Sequence, residues 1–272
     1  MKISIESIHD ALISGIKEFF EKSGFQKAVL GLSGGIDSAV VLCLAVKALG
    51  ADNVRSLLMP SRYSSECSVT DSIELSKRLG TKFDVINIEG IFCAFERTLA
   101  PLFSGKENDV TEENIQARIR AVFLMAVANK FDCILLNTSN KSETAVGYTT
   151  LYGDMAGGLS VIGDVYKTDV YKLAAYINST DDIIPESIIR KQPSAELKPN
   201  QLDADSLPDY ETLDNILYQY LELQTPPEEI AADRETVYRV IKLIKSSEYK
   251  RYQAPPVLRI SPQKHPLYPA RY

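Results

Sequence analysis

Residues 28–49, AVLGLSGGIDSAVVLCLAVKAL, join a short apolar run to a long one through a polar turn with two glycines. Residues 28–32 predict a short buried β-strand, and residues 39–49 predict an almost wholly apolar helix that ends at Gly50. Consecutive glycines allow the backbone to turn sharply between these two elements. We therefore interpret this stretch as the first strand–turn–helix unit of an alternating α/β fold.

The same alternation continues on both sides of this unit. Further strands are predicted at 54–59, 83–88 and 133–136, and helices at 5–22, 64–79 and 112–130. A helical region between residues 89 and 111 is broken at Pro101 and Gly105. Alternating strands and helices predict an α/β fold, a doubly wound, Rossmann-like parallel sheet with helices on both faces. Ligands of such sheets bind beyond the C-terminal ends of the strands.

The composition changes after Gly147. Residues 148–163 are rich in Gly and Thr, and residues 190–210 contain three prolines, so both stretches are predicted to be loops. Helices are predicted at 167–177, 213–223 and 236–244, and a proline-rich extended tail at 253–272. We expect a single domain over residues 1–272. Its nucleotide-binding core ends near residue 180, and a mobile loop, helices and the tail follow over about 181–272.

The composition excludes several classes of protein. With 45% hydrophobic and 24% charged residues the chain is neither disordered nor fibrous, and a net charge of −6 argues against a nucleic-acid partner. The sequence has neither a membrane-spanning apolar run nor an N-terminal signal, so we expect a cytoplasmic protein without a membrane partner. Four cysteines without a C-x-x-C pair, and two histidines, His9 and His265, argue against a zinc site or a His-based triad.

Residues 33–38, SGGIDS, form the strongest candidate site. Backbone N–H groups of a glycine turn at a helix N-terminus favour phosphate, and Ser33 and Ser38 add hydroxyl donors. The lysine and spacing of a Walker A loop are absent. Because the Asp37 carboxylate would repel phosphates unless a cation lay between them, Asp37 is a candidate magnesium ligand. The alternative is an ordinary turn in which Ser and Asp are helix caps.

The hexapeptide SGGIDS resembles the pyrophosphate loop of the ATP pyrophosphatases, which cleave ATP between the α- and β-phosphates and adenylate a substrate oxygen. A second polar cluster, NTSNKSE at 137–143, follows the predicted strand at 133–136. Helix capping alone explains Ser139, Asn140 and Glu143. It does not explain the polar, glycine-rich run GYTTLYGDMAGG at 147–158.

These motifs, together with ENIQAR at 113–118, GDVYKT at 163–168, PSAEL at 193–197 and EYKR at 248–251, resemble the NAD synthetase family. The resemblance extends from about residue 5 to the C-terminus, and the motifs occur in the family order. It implies a ligase that amidates deamido-NAD to NAD with ATP and ammonia and releases AMP and pyrophosphate. It also implies magnesium as a cofactor and ATP as a co-substrate.

The resemblance also implies roles for individual residues. The ATP site would consist of Gly31, Leu32, Ser33, Gly34, Gly35, Ile36, Asp37, Ser38, Thr138, Lys167 and Ser194. The deamido-NAD site would consist of Asn114, Arg118, Glu143, Tyr148, Thr149, Thr150, Leu151 and Lys250. Asp37 and Glu143 would bind magnesium, and with Lys167 they would carry the catalysis. We add Arg62 to the ATP site, because it follows the predicted strand at 54–59.

Some of these residues have simpler explanations. Asn114, Arg118 and Lys250 could be solvated surface residues, and Tyr148 could belong to the hydrophobic core.

One position departs from the pattern of the short, ammonia-using members of the family. They commonly have a lysine immediately before Y-G-D, where this chain has Leu151. The motif resembles more closely the synthetase half of glutamine-dependent enzymes, which carry an additional amidase domain. This chain begins at the synthetase half, so we expect it to use free ammonia or ammonia from a separate glutaminase. The resemblance also implies a homodimer.

Two other functions compete with this one. Another adenylating ligase, such as a tRNA-modifying or GMP-synthetase-like enzyme, is disfavoured by the net charge and by the absence of C-x-x-C. A non-catalytic nucleotide-binding subunit could lose its metal carboxylates, whereas Asp37 and Glu143 are both present.

Overall fold

The computed structural model describes residues 3–261 and Leu267. It is built around a five-stranded sheet with the strand order β3-β2-β1-β4-β5. The strands are β1 (Lys27–Gly31), β2 (Val54–Leu58), β3 (Lys82–Val85), β4 (Cys133–Asn137) and β5 (Leu159–Ser160). All neighbouring strands are parallel. Strands β2 and β3 lie on one side of β1, and β4 and β5 lie on the other side. The strand order therefore changes direction between β1 and β4, which is a topological switch point.

Helices cover both faces of this sheet and form a further layer beside it. They are α1 (Ile5–Ser23), α2 (Ile36–Leu49), α3 (Glu66–Leu79), α4 (Glu89–Leu99), α5 (Val110–Phe131), α6 (Lys141–Val146), α7 (Lys167–Ile177), α8 (Glu186–Arg190), α9 (Tyr210–Leu217), α10 (Arg234–Ser246) and α11 (Glu248–Arg251). A π-helical turn, Tyr218–Glu222, continues α9. In the described part of the chain, no helix is both long and apolar enough to cross a bilayer.

The two faces of the sheet are covered by different helices because side chains alternate along each strand. Ala28 and Leu30 of β1 belong to the cluster formed with α1, α2 and α7. Val29 belongs to the cluster on the opposite face, which includes Phe92 of α4 and Ile119 of α5. Since α2 is buried over most of its surface, its sequence is almost continuously apolar rather than amphipathic.

A third apolar cluster joins α6, α9 and α10 beside the sheet. At the end of α6, Gly147 has a positive φ of 72°. A Cβ atom added there would lie 2.2 Å from Cβ of Ser247, so α6 ends at a position that only glycine can occupy. This close approach fixes α6 against the end of α10.

The structure confirms the α/β class, the parallel sheet and the helices on both of its faces. The prediction of a loop over 148–163 was wrong at Leu159–Ser160, which pair with β4 as a two-residue edge strand. The predicted strand at 83–88 ends at Val85, and the predicted helix at 213–223 begins at Tyr210 and passes into the π-turn.

The C-terminal region also differs in detail from the prediction. Helix α8 was not predicted, and a short 3-10 helix, Asp203–Asp205, lies within the predicted loop at 190–210. The predicted tail forms a parallel bridge between Ser160 and Val257. Residues 262–266 and 268–272 of the tail, His265 among them, lie outside the described residues, whereas Leu267 is described and buried. The division into a core and a C-terminal region stays a prediction.

Candidate active site

A cavity of about 300 Å³ lies at the C-terminal ends of β1, β2 and β4, where the strand order changes direction. Parallel strands end at the same edge of a sheet, so the polar segments that follow them meet there. The predicted site residues that line the cavity are Gly31, Leu32, Ser33, Gly35, Ile36, Asp37, Ser38, Thr138, Glu143, Tyr148, Thr149, Lys167 and Ser194. Most of the predicted ATP site is therefore brought together.

Helix α2 begins directly after the glycine turn and has no side-chain cap. Gly35 is the N-cap residue, and no side-chain hydrogen bond caps the helix, which leaves the donors of its first turn available to a ligand. Ser38 Oγ donates to the carbonyl of Gly35 at 3.0 Å and accepts from the N–H of Ser33 at 3.3 Å, which closes the turn. The turn is thus shaped by its own serines, and simple helix capping does not explain it.

Gly34 is required in this turn for two reasons. Its φ is +79°, which disfavours any residue with a side chain. An added Cβ would also lie 2.5 Å from the backbone oxygen of Ser68 in α3. The turn and α3 consequently pack backbone to backbone. Gly34 itself does not line the cavity.

Three side chains from three helices meet at the N-terminus of α2. Lys167 of α7 forms an ion pair with Asp37 of α2, and its Nζ lies 3.4 Å from Oε1 of Glu143 in α6. Asn140 donates from Nδ2 to Asp37 Oδ1 at 2.9 Å. Asn140 Oδ1 in turn accepts from the N–H of Glu143 at 3.0 Å, so Asn140 caps α6 and holds Asp37 at the same time.

This cluster has more acidic than basic groups. Burial raises the pKa of Glu143, although the ammonium of Lys167 acts in the opposite direction. Burial lowers the pKa of Lys167, but the carboxylates of Asp37 and Glu143 together outweigh burial and raise it overall. Asp203 adds a third carboxyl group, whose pKa burial also raises. Lys167 therefore keeps its proton, and the surplus of carboxylates suits an added cation.

The Asp203 carboxyl group lies in the cavity wall between the side chains of two tyrosines, Tyr148 and Tyr210. The Asp203 side chain is buried and lines the cavity, and its Oδ2 accepts from the Tyr210 hydroxyl at 2.7 Å. Oδ1 has no hydrogen-bond partner among the described residues. Burial raises the pKa of this carboxyl group, and the hydroxyl groups of Tyr210 and Tyr148 act in the opposite direction.

A carboxylate of α9 fixes the positions of α6 and α7. Asp214 accepts from the hydroxyl of Ser142 and from the N–H of Thr168, the latter at 2.9 Å. The N–H of Lys167 donates to Ser142 Oγ at 2.9 Å. Asp214 thus connects the helix that carries Glu143 to the helix that carries Lys167.

The structure also brings the predicted deamido-NAD residues together, around the segment 147–151. Asn114 accepts from the Thr150 hydroxyl at 2.7 Å, and Arg118 donates to the carbonyl of Leu151 at 3.2 Å. Lys250 donates to the carbonyls of Gly147 and Thr149 at 2.8 and 2.6 Å. These three side chains hold the segment, but the cavity lining includes none of them, and neither does it include Thr150 or Leu151.

The segment 191–197 borders the same cavity. Glu196 accepts from the N–H and hydroxyl of Ser65, at 3.3 and 2.9 Å, and forms an ion pair with Lys191 at 2.7 Å. Gln116 of α5 donates to the carbonyl of Leu197 at 2.8 Å. Ser194, which was predicted to contact ATP, precedes these two attachments in the same segment and lines the cavity.

Arg62 is not brought to the cavity. Its Nε donates to Glu89 at 2.7 Å, and its Nη2 lies 3.1 Å from Glu96, both in α4. Five charged residues of the cavity lining were not predicted as site residues: Arg120, Asp154, Lys191, Glu196 and Asp203. Asp154 belongs to the motif at 147–158, which is a signal that could have identified it. Asp203 lies in an irregular segment without a comparable signal.

A parallel sheet whose first strand–turn–helix presents N–H donors beside acidic groups and a lysine defines a nucleotide-binding α/β protein. Residues 8–254 match the profile of the NAD synthase family. The chain belongs to this family.

Individual relatives agree with this assignment. A glutamine-dependent NAD(+) synthetase of Thermotoga maritima is 51% identical over 261 residues, which cover 94% of this chain and 45% of the relative. A glutamine-dependent NAD+ synthetase from Acinetobacter baumannii, solved with ADP, is 42% identical with a TM-score of 0.69, covering 97% of this chain and 48% of that one. An NH3-dependent NAD synthetase from Campylobacter jejuni is 29% identical with a TM-score of 0.73, covering 92% and 96%. The chain spans about half the length of the curated relative.

Proposed function

We propose that this chain is a ligase that amidates deamido-NAD to NAD, with ATP as co-substrate and AMP and pyrophosphate as products. The observation that carries the proposal is the meeting of Asp37, Glu143 and Lys167 at the uncapped N-terminus of α2. Membership of the NAD synthase family supports the identity of the reaction.

The reaction needs ATP because a carboxylate is a poor electrophile. In the first step, a nicotinate carboxylate oxygen attacks the α-phosphorus of ATP, and pyrophosphate leaves. In the second step, ammonia attacks the carbonyl carbon of this acyl-adenylate, the carbon–oxygen bond to AMP breaks, and the nitrogen loses a proton. Those N–H groups of residues 33–38 that make no bond within the turn hold the phosphates, and the Lys167 ammonium stabilises the negative charge that develops on them.

The residues present fit a magnesium ion. Asp37 and Glu143 offer carboxylate oxygens on either side of the Lys167 ammonium. Among residues 3–261 and 267, no three His, Cys, Asp or Glu side chains form a complete metal site. Magnesium typically uses one or two carboxylates together with substrate phosphates. We propose that Asp37 and Glu143 hold this ion, which neutralises charge on the phosphates when it is bound.

The deamido-NAD site is proposed at the segment 147–151 and the side chains that hold it. Tyr148 and Thr149 line the cavity next to Glu143. Asn114, Arg118 and Lys250 fix the segment through hydrogen bonds. In this arrangement the nicotinate end of the substrate lies near Glu143, within reach of the α-phosphate of ATP.

We propose free ammonia, or ammonia from a separate glutaminase, as the nitrogen source. Both kinds of NAD synthetase occur among the relatives of this chain. The Thermotoga maritima protein is named glutamine-dependent, and the Campylobacter jejuni protein is named NH3-dependent. The described residues carry no candidate amidase nucleophile, since burial or a neighbouring carboxylate raises the pKa of Cys43, Cys67, Cys93 and Cys133.

We further propose that the chain acts as a homodimer in the cytoplasm. Helices α4 and α5 pack against each other, and each exposes apolar side chains, Ile91 and Phe95 on α4 and Val122 and Met125 on α5. Exposed apolar side chains on neighbouring helices are compatible with a protein interface. Sedimentation equilibrium is the direct test, and a monomer at micromolar concentration would contradict the homodimer.

The function is tested by incubating the protein with ATP, magnesium and deamido-NAD, with either ammonium or glutamine as the nitrogen donor. We expect equal amounts of NAD and AMP with ammonium, and no NAD with glutamine alone. Formation of ADP, or AMP release that does not depend on deamido-NAD, would refute the proposed reaction. NAD formed from glutamine by the isolated chain would refute the proposed nitrogen source alone.

A further inference from the structure

Arg120 is a cationic side chain in the cavity that has no acidic partner. It lies on α5 and lines the cavity wall. Its Nε donates to the carbonyl oxygen of Met59 at 3.0 Å. Within residues 3–261 and 267, no carboxylate forms an ion pair with its guanidinium, and Nη1 and Nη2 have no hydrogen-bond acceptor.

Four other arginines form ion pairs with acidic groups, whereas Arg118 and Arg239 donate to backbone carbonyls. Arg55 pairs with Asp84, Arg62 with Glu89 and Glu96, Arg78 with Glu74, and Arg190 with Glu186. Those four side chains lie outside the cavity. Arg120 is less solvated than a surface arginine and has fewer partners, and this combination is unfavourable in a folded protein without a ligand.

The surroundings of Arg120 contain acids, but at a distance. Burial lowers the pKa of Arg120 to about 10, while the charges of Glu196 and Asp154 act in the opposite direction. The two carboxylates approach from the segments 191–197 and 147–158, which border the cavity. Arg120 therefore lines the cavity together with both carboxylates but pairs with neither of them.

Met59, whose carbonyl accepts the hydrogen bond from Arg120, lies close to the glycine turn at residues 33–38. Met59 directly follows β2, and the N–H of Leu32 donates to the carbonyl of Leu57 at 2.9 Å, so Met59 lies beside the turn. A Cβ atom added to Gly31 would lie 3.5 Å from Cε of Met59, which confirms this proximity. The planar guanidinium is held through one nitrogen, and the other two nitrogens can bind two oxygens of one phosphate.

We propose that Arg120 binds a phosphate group of a nucleotide in this cavity. The inference rests on the proposed function, in which two nucleotides, ATP and deamido-NAD, bring phosphates to the cavity. Both offer the same chemistry to the guanidinium, and the experiment distinguishes them by adding each nucleotide alone.

The experiment compares R120Q and R120K with the wild-type protein and with R55Q. Arg55 lies on β2, is partly buried and has a carboxylate partner outside the cavity, so R55Q is a matched control. Calorimetric titration measures the affinity for the magnesium complex of a non-hydrolysable ATP analogue and, separately, for deamido-NAD. Thermal unfolding of each variant is recorded without and with each nucleotide.

We expect R120Q to weaken the affinity for one nucleotide by at least about tenfold, the loss expected for a hydrogen bond to a charged group. R120K retains part of the affinity because it keeps the charge but loses the fork of donors. Without nucleotide, R120Q unfolds at the wild-type temperature or higher, because it removes a charge without an acidic partner. R55Q unfolds at a lower temperature and binds both nucleotides with wild-type affinity.

Wild-type affinity of R120Q for both nucleotides would overturn the proposal, whatever its thermal stability, and would leave Arg120 as a structural anchor of Met59. The measurement does not require turnover. If the wild-type protein binds both nucleotides but makes no NAD, the proposed function fails, while the role of Arg120 is still decided by the affinities.

Discussion

Asp37 is the side chain on which most of the site depends, and its partners come from two other helices. Asn140 and Lys167 each contact its carboxylate, so its position is determined by α6 and α7 as well as by α2. A carboxylate held in this way is preorganised to receive an ion and phosphates. Changes at single residues here should separate activity from stability.

Replacing Asp37 by Asn should reduce turnover by at least about 100-fold, because the metal ion loses a charged ligand while the shape of the side chain is kept. The loss of stability should be small, about 1–2 kcal/mol, since Glu143 remains as a partner of Lys167. Steady-state AMP formation and urea unfolding measure the two effects. Wild-type turnover in D37N would remove Asp37 from the mechanism.

Gly34 and Gly35 are neighbours with opposite tolerance for a side chain. G34A places a Cβ 2.5 Å from the backbone oxygen of Ser68 at a φ of +79°, and should destabilise the fold by about 1–3 kcal/mol and weaken ATP binding. In G35A the nearest atom is the Ser33 hydroxyl oxygen at 3.3 Å, so this control should fold with nearly wild-type stability. Equal unfolding temperatures for both variants would contradict this interpretation of the turn.

At the scale of elements, the site depends on short helices that are held by longer ones. Helix α6 spans only Lys141–Val146, and its position comes from Asp214 of α9 and from the contact of Gly147 with Ser247. Because α9 follows the segment 190–210, the same helix connects that segment to Glu143 and Lys167.

D214A should lower kcat by about tenfold or more, because Ser142 and the N–H of Thr168 lose their acceptor and the two helices can separate. The expected loss of stability is about 1–3 kcal/mol. Asp209, the N-cap of the same helix, provides the control, and D209A should cost about 1 kcal/mol with unchanged kcat. Equal kcat values for D214A and D209A would show that Asp214 is only structural.

Elements with a strong local pattern could be predicted from the sequence, and those defined by distant contacts could not. The unit at 28–49 was predicted because its strand, glycine turn and helix are all visible in consecutive residues. Strand β5 is two residues long and exists through its pairing with Leu136 and Asn137, which no local pattern shows. The same holds for α8, where five residues contain one buried side chain, Ile188.

The candidate site shows the same contrast. Asp37, Glu143 and Lys167 lie in recognisable motifs, and the structure brings them together as predicted. Arg62 follows β2 as predicted, yet its side chain turns to the carboxylates of α4, a competition that the sequence does not reveal. Asp203 reaches the cavity only through the path of an irregular segment, which cannot be predicted from residue types.

At the scale of the whole molecule, a buried ion network connects the C-terminal segment to the site. Lys141 is almost fully buried and pairs with Asp164 at 2.8 Å and with Glu222 at 2.5 Å. Asp164 also accepts from the N–H groups of Ile260 and Ser261, at 3.0 and 2.9 Å. The tail is therefore fixed to α6, the helix that carries Glu143.

This network should make stability depend on pH. Burial raises the pKa of Asp164, but the Lys141 ammonium and the hydrogen bonds from Ser261 outweigh burial and hold it below its usual value. The contribution of Asp164 is therefore complete above its unfolded-state pKa, about 3.9, and is lost as the pH falls through the lower folded-state pKa.

D164N should cost about 3–5 kcal/mol at pH 7, and the difference from wild type should shrink at pH 3. D169N, which breaks the exposed pair with Lys172, is the control and should cost less than about 1 kcal/mol. Urea unfolding at the two pH values measures both. A D164N deficit that is equal at pH 7 and pH 3 would contradict the assigned direction of the pKa.

The most direct test of the account is a crystal structure of the protein with magnesium and a non-hydrolysable ATP analogue. The account predicts phosphate oxygens within hydrogen-bonding distance of the N–H groups of residues 33–38. It also predicts a magnesium ion about 2.1 Å from oxygens of Asp37 and Glu143. Phosphates bound elsewhere, or an ion remote from both carboxylates, would contradict it.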